Sequence, residues 1–157
     1  MSELSYQVIS DTEDKNTIDQ IASWYNQEWS IAVGATIKNQ QSLAQGDHQF
    51  QALLLKNGAL IGTGGIYNHV GIINKEPRLG IYKHWLALMY TKPEVRGNGF
   101  GLSLCSFIQQ HAKSLGIEEL FLFTHTAESL YRRLGWQVIE RLTLGGRDIV
   151  IMKIDLS

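Results

Sequence analysis

Apolar positions along the chain follow two spacings, and their alternation predicts strands and helices in turn. Leu4, Tyr6 and Val8 alternate with polar neighbours, the period of a half-buried strand. From Asp14 to Trp29 the apolar set Ile18, Ile21, Ala22, Tyr25 and Trp29 has helical spacing, with Thr17 and Gln20 placed as a capping box near its start. A second, weaker helix is expected over Thr36 to Ala44, closed by Gly46. Phe50 to Leu55 reads as a strand, Asn57-Gly58 as a hairpin turn, and Ala59 to His69 as the returning strand. Val70 to Gly80 reads as a loop. The unbroken apolar run Trp85 to Tyr90 predicts a central strand buried on both faces, ended by Pro93. A glycine cluster then opens a helix over Leu102 to Leu115, whose Leu104, Cys105, Ile108, Ala112 and Leu115 share one face, and Gly116 stops it. Glu119 to Thr124 is a further strand, and Ala127 to Leu134 a short helix closed by Gly135. Trp136 to Leu142 and Asp148 to Ile154 are two last strands joined around Gly145-Gly146. The predicted order is β-α-α-β-β-β-α-β-α-β-β, and without repeat or linker it is expected to form one domain over residues 1–157.

Composition narrows the classes of function. With 44% of 157 residues hydrophobic and 18% charged, the chain can bury a core and is not intrinsically disordered. Fourteen Lys and Arg against fifteen Asp and Glu give a net charge of −1, which offers no global electrostatic footprint for nucleic acid. No run approaches the ~20 apolar residues of a membrane span, and Met1 to Ser10 lacks the pattern of a secretory signal. Cys105 is the only cysteine, so no internal disulfide or Cys-based zinc site is expected. No pair among His48, His69 and His111 has metal-ligand spacing on a helix, so no metal is expected either. These features predict a soluble, cytoplasmic protein without a membrane or nucleic-acid partner.

Two constellations carry chemistry. Arg96-Gly97-Asn98-Gly99-Phe100-Gly101 lies between a buried strand and an amphipathic helix. Alternating glycines let backbone N–H groups converge and a ligand approach the main chain, and the helix N-terminus adds partial positive charge. Such a segment suits a pyrophosphate; the plainer reading is a glycine-rich connection. It is not a Walker loop, because no Gly-Lys-Ser/Thr follows, and it lacks the third glycine of the Rossmann fingerprint. Gly62-Thr63-Gly64-Gly65 lies inside a strand and reads as a bulge or close-packing site. The second constellation, Tyr131-Arg132-Arg133-Leu134-Gly135-Trp136, ends the short helix and enters the next strand. Its plainer reading is a helix C-cap flanked by buried aromatics.

Taken together, Met89 through Gly101 and Tyr131 through Trp136 resemble the two hallmarks of the GNAT superfamily, the acetyl-CoA-dependent N-acetyltransferases. That pattern is an apolar strand, often a Pro, then Arg or Gln-x-x-Gly-x-Gly or Ala, and later a Tyr followed by Leu-Gly-aromatic. The resemblance extends to the element order from Leu4 to Ile154. It implies an α/β (α+β mixed) fold with a central mixed, mostly antiparallel sheet of six to seven strands, a splayed parallel central pair, and about four flanking helices. It also implies acetyl-CoA as co-substrate. Met89 and Thr91, with Tyr90 between them, would offer backbone groups to the pantetheine arm. Arg96, Gly97, Asn98, Gly99, Phe100, Gly101 and Leu102 would hold the pyrophosphate, with Thr124 on the facing strand. Tyr131 takes the place of the general acid.

The acceptor half departs from the family pattern. Neither Trp85 to Thr91 nor Leu120 to Thr124 carries the carboxylate that often serves as base, and Thr124, His125 and Thr126 stand where relatives often place an Asn. An amine of lysine-like pKa is only ~0.1% neutral near pH 7.4, so something must take its proton. The candidates are His84, His125 or a chain of waters. Trp29, Tyr25 and Trp85 are candidate acceptor contacts, although aromatics on the first helix also suit a core. Cys105 is expected to pack in the core. The implied acceptor is a small-molecule or peptide amine, and the protein a monomer or homodimer. Two alternatives stay open: an acyl-CoA-binding sensor with little catalysis, and a nucleotide-binding regulator using the glycine loop.

Overall fold

The computed structural model describes residues 3–9, 15–43 and 48–157. In chain order these form β1 (Leu4–Val8), α1 (Lys15–Trp29), α2 (Val33–Leu43), β2 (Phe50–Lys56), β3 (Ala59–Tyr67), α3 (Gly71–Lys75), β4 (Trp85–Thr91), α4 (Phe100–Ser114), β5 (Glu119–Thr124), α5 (Glu128–Arg133), β6 (Gln137–Leu144) and β7 (Arg147–Asp155). The strands make one seven-stranded sheet in the order β1-β2-β3-β4-β5-β7-β6. Only β4 and β5 run parallel. This is the mixed, mostly antiparallel sheet with a parallel central pair that the resemblance implies.

Alternation along the strands decides what each face packs against. Phe50, Ala52 and Leu54 of β2, with Leu120 and Leu122 of β5, pack beneath Leu104, Cys105, Ile108 and Ala112 of α4. Leu53 of β2 faces the other way, onto Ile21, Trp24 and Tyr25 of α1. Phe121 of β5 shares that second side with Trp85, Leu79, Ile72 and Leu43. Helix α4 therefore covers one face and α1 to α3 the other, which buries most of β2 and β3 on both sides.

Several boundaries differ from the sequence expectation. Val70–Gly80 is not a plain loop: it holds α3 and a 3-10 turn over Pro77–Ile81, fixed by burial of Ile72 and Leu79. Helix α2 begins at Val33 instead of Thr36, and α1 is already helical at Lys15, so Thr17 lies within its first turn and caps nothing. The expected helix start at Asp14 and the stops at Ala44 and Gly46 lie outside the described residues. Helix α4 starts at Phe100, two residues early, because Gly99 sits in the left-handed region (φ +79°) and turns the chain directly into it. At its other end Gly116 (φ +87°) stops the helix as expected, with Ile117 N–H donating back to Ala112 O. Among the described residues no helix is long and apolar enough to cross a membrane.

Candidate active site

The centre of the sheet is open. Strands β4 and β5 pair only at Trp85 and Phe121 and then diverge, so main-chain groups of β4 beyond Trp85 have no β5 partner. The middle of β4, expected to be buried on both faces, is half-exposed at Ala87, Leu88 and Met89 for this reason. Two cavities occupy the gap. The larger, about 910 Å³, lies over Leu86–Met89 and Leu122–Ala127 and reaches Trp29, Tyr67 and Arg147. The smaller, about 200 Å³, is lined by Met89, Tyr90, Thr91, Gly101, Leu102, Cys105, Leu130 and Tyr131. Met89 and Tyr131 line both, so the cavities meet at these two side chains.

A bulge shapes β4 at that junction. Thr63 pairs with Tyr90 but Gly65 with Ala87, so Leu88 and Met89 together oppose Gly64. Leu88 takes a φ of +59°, a strained conformation for a branched side chain. The strain is held from behind: the Tyr25 hydroxyl donates to Leu88 O at 2.7 Å, and itself accepts from Gln51 Nε2 at 2.9 Å. Gln51 Nε2 also donates to Thr63 Oγ1, while its Oε1 accepts from Tyr67 and Gln40. These five side chains are buried, and burial raises both tyrosine pKa values, so the network stays neutral. The glycines of β3 fit the same bulge. A Cβ on Gly64 would collide with the Met89 sulfur, and one on Gly65 would lie 2.6 Å from Phe50 O.

At the smaller cavity the glycine loop is internally braced. Asn98 Nδ2 donates to Val95 O at 2.8 Å, and Gly97 and Gly99 both have positive φ. Arg96 does not reach into the loop. Its Nε donates to Thr91 O at 2.8 Å, its Nη2 to Glu28 at 3.2 Å, and the guanidinium lies 5.2 Å over the Tyr90 ring. It therefore pins the end of β4 to α1, with its charge partly met by Glu28. Phe100 turns away, its ring beneath the Lys56 ammonium. An added Cβ would meet nothing within 4 Å at Gly97, Gly99 or Gly101, and of the three Gly101 lines the smaller cavity. Free β4 main chain, an unobstructed Gly101 and the α4 N-terminus converge on one slot, and that set of donors fits the pantetheine and pyrophosphate of acetyl-CoA.

Tyr131 is placed by a chain of contacts. Gly135 (φ +97°) ends α5, and Trp136 N–H donates to Tyr131 O at 3.1 Å, the C-cap anticipated from Leu134-Gly135. The buried Trp136 ring meets the Tyr131 ring edge-on at 5.9 Å. Its indole N–H is anchored on Gln109 of α4 at 3.1 Å. The Tyr131 hydroxyl makes no hydrogen bond to a described residue. Burial, then the neighbouring Cys105, pushes its pKa up to about 12, so the phenol is a proton or hydrogen-bond donor throughout the neutral range. Cys105 itself is buried, with its thiol also raised to about 12, which leaves it a packing residue and no nucleophile.

The candidate bases separate. His125 lines the larger cavity, and its Nδ1 lies 2.8 Å from the carbonyl of Asp148. A carbonyl only accepts, so Nδ1 carries the hydrogen and the neutral ring keeps its lone pair on Nε2. His84 lies at the far, paired end of β4, where its carbonyl accepts from Phe121 N–H and its ring packs on His48. It lines neither cavity. The aromatics also separate. Trp29 is 42% exposed and lines the larger cavity. Trp85 is fully buried against Tyr82 and Phe121, and Tyr25 is committed to the bulge, so neither contacts the acceptor space. Among the described residues no cluster of three or more His, Cys, Asp or Glu could hold a metal.

Sequence reasoning missed three features: the left-handed Leu88, the network behind it, and Arg147 on the rim of the larger cavity. Only the Gly62–Gly65 run hinted at the first.

Residues 17–136 match the sequence model of the Acetyltransferase (GNAT) family. No curated protein sequence matches the chain. Among solved structures, an aminoglycoside 6'-N-acetyltransferase complexed with coenzyme A superposes with a TM-score of 0.75 at 13% identity, over 98% of this chain and 97% of that one. A GNAT-family acetyltransferase from Streptococcus pneumoniae gives 0.74 at 16% identity, over 99% and 100% of the two chains. The aminoglycoside 6'-N-acetyltransferase from Enterococcus faecium gives 0.74 at 14%, over 98% and 97%. At these identities the likeness is one of fold.

Proposed function

Because the chain belongs to the GNAT acetyltransferase family and is thus an acyltransferase, we propose that it transfers acetyl from acetyl-CoA to a primary amine of a small-molecule or peptide acceptor by direct attack. One observation carries this reading: Tyr131 and Met89 stand where the donor slot opens into the larger cavity, so donor and acceptor can meet there without a covalent enzyme intermediate.

Acetyl-CoA supplies the acyl group as a thioester, whose carbonyl carbon gains the amine nitrogen while its sulfur leaves as a thiolate and takes up the second proton that the nitrogen sheds on becoming an amide. The protein's residues handle orientation and protons. Main chain of β4 from Met89 to Thr91, which has no β5 partner, and the Gly101 end of α4 hold the donor. The Nε2 of His125 takes the proton that the ammonium must lose before it can attack. Tyr131 serves the departing sulfur. With its pKa near 12 against an ordinary thiol near ~8.5, full transfer from the phenol would be uphill by roughly 5 kcal/mol. Its contribution is therefore a hydrogen bond to the thiolate, the same kind of preorganised donor that stabilises an oxyanion.

The test is free-thiol release from acetyl-CoA against a broad panel of amines, with product mass measured in parallel. Amine-dependent thiol release with a product heavier by one acetyl group is expected. Binding of acetyl-CoA without turnover on any amine would overturn the reading in favour of a sensor.

A further inference from the structure

The walls of the larger cavity carry information about the acceptor beyond its amine. Among the described residues lining it there is no Asp, Glu or Lys; the titratable ones are Arg147, His125, His69 and the phenols Tyr67 and Tyr131, set among apolar groups such as Leu43, Val70, Phe123 and Ile149. Of the other arginines, Arg78 pairs with Glu76 and Glu140, Arg96 with Glu28, and Arg132 and Arg141 with Glu128, while Arg133, which does not line the cavity, makes no ion pair with a described residue. Arg147 is exposed on the cavity rim, and its guanidinium makes no ion pair or hydrogen bond with a described residue. Its neighbour in the chain, Asp148, is the residue whose carbonyl fixes His125. The candidate base and the free guanidinium therefore stand on one rim.

We propose that the acceptor is an amine that also bears an anionic group, held by Arg147, with the two groups close together and an apolar body beyond them, as in an apolar α-amino acid. This rests on the acetyl-transfer reading above and names its substrate class. A guanidinium presents a planar fork of donors that matches a carboxylate in two bonds and also suits a phosphate. A cation on the rim repels a polycation, so aminoglycosides and polyamines, which carry several ammonium groups and no anion, fit this cavity poorly. The apolar walls accept a hydrocarbon side chain. The short path from Arg147 to His125 through Asp148 keeps the anion beside the nitrogen that loses its proton.

The experiment compares L-leucine, leucinamide and isoamylamine as acceptors, with aminoethyl phosphate, spermidine and kanamycin alongside. Loss of a charge-assisted contact predicts that kcat/KM for leucine exceeds that for leucinamide and isoamylamine by about tenfold or more, after correction for the fraction of neutral amine. Arg147→Gln should collapse that ratio, mainly through KM, and Arg147→Lys should restore part of it. A higher rate with aminoethyl phosphate than with leucine would assign the anion as phosphate. Leucinamide, spermidine or kanamycin matching or exceeding both anionic amines would overturn the proposal, as would an acid-to-amide ratio unchanged in Arg147→Gln. Calorimetric binding of leucine and aminoethyl phosphate to the CoA complex separates the two readings. Binding that weakens about tenfold in Arg147→Gln, with no turnover, would sustain the anion site and sink the transferase reading. No binding of either would sink the anion site.

Discussion

At the scale of single residues, the two proton-handling groups make different predictions because their environments differ. Tyr131→Phe keeps the ring against Trp136 and removes only the hydroxyl, so folding and CoA affinity should hold while kcat falls roughly 10²-fold. A hydroxyl must keep its proton to donate a hydrogen bond, and a pKa raised to about 12 keeps this phenol protonated across the working range. The loss in Tyr131→Phe should therefore be the same factor from about pH 6 to 9, measured with chemistry limiting. A loss that shrank as pH rose would mean that the hydroxyl titrates and is less buried than it stands here. His125→Gln should behave otherwise: the side chain can still hydrogen-bond Asp148 O but has no basic nitrogen, so kcat/KM should fall about 10²-fold with CoA affinity unchanged. An unchanged kcat/KM would return the role to water. Tyr131 stood out through the resemblance of Tyr131 to Trp136 to the family motif, since the same residues read locally describe no more than a helix C-cap. The separation of His125 from His84 could not be read, because it depends on which end of β4 opens, and that is a matter of pairing.

At the scale of elements, the glycine loop and the network behind β4 separate binding from folding. Gly101 lies in the first turn of α4 with space around its Cβ position, so Gly101→Val costs the fold little and gains on glycine in helix propensity. The same side chain would occupy the donor slot, and CoA affinity should drop about tenfold or more through lost main-chain contacts. Gly99, at φ +79°, should instead lose about 1 kcal/mol of stability on substitution by alanine. Thermal melts with and without CoA distinguish the two, and equal CoA affinity in wild type and Gly101→Val would remove the slot from donor binding. Behind β4, Gln51→Leu would strand the Tyr67 hydroxyl and the Gln40 amide in the core, a cost of about 2–5 kcal/mol by denaturant unfolding. Tyr25 would also lose its donor, and the left-handed Leu88 would lose part of its support, so kcat should fall along with stability. Nothing local announces this network. Tyr25, Thr63 and Tyr67 stand 26, 12 and 16 residues from Gln51, and only the sheet order brings them together.

At the scale of the molecule, the strand and helix order was readable because periods of two and of three to four persist across whole elements, and caps such as Gly116 and Gly135 mark their ends. The cavity was not, because the splay of β4 from β5 is an absence of pairing, and the same apolar run would serve a closed sheet. That open centre also makes stability depend on ligand. Apart from Leu88 O and Thr91 O, which accept from Tyr25 and Arg96, main-chain groups on the open side of β4 gain a partner when the slot is filled, and a ligand that binds the folded chain alone shifts unfolding by mass action. At a hundredfold excess over its Kd, acetyl-CoA should contribute about 2.7 kcal/mol. For a chain of this size that is a rise in Tm of roughly 5–10 °C. Free adenosine diphosphate can reach the α4 N-terminus but cannot pair with Met89 to Thr91, so its shift at equal concentration should be much smaller. Differential scanning fluorimetry with both ligands checks this. A shift with adenosine diphosphate or NADH equal to that with acetyl-CoA would show that the open strand contributes nothing to donor binding.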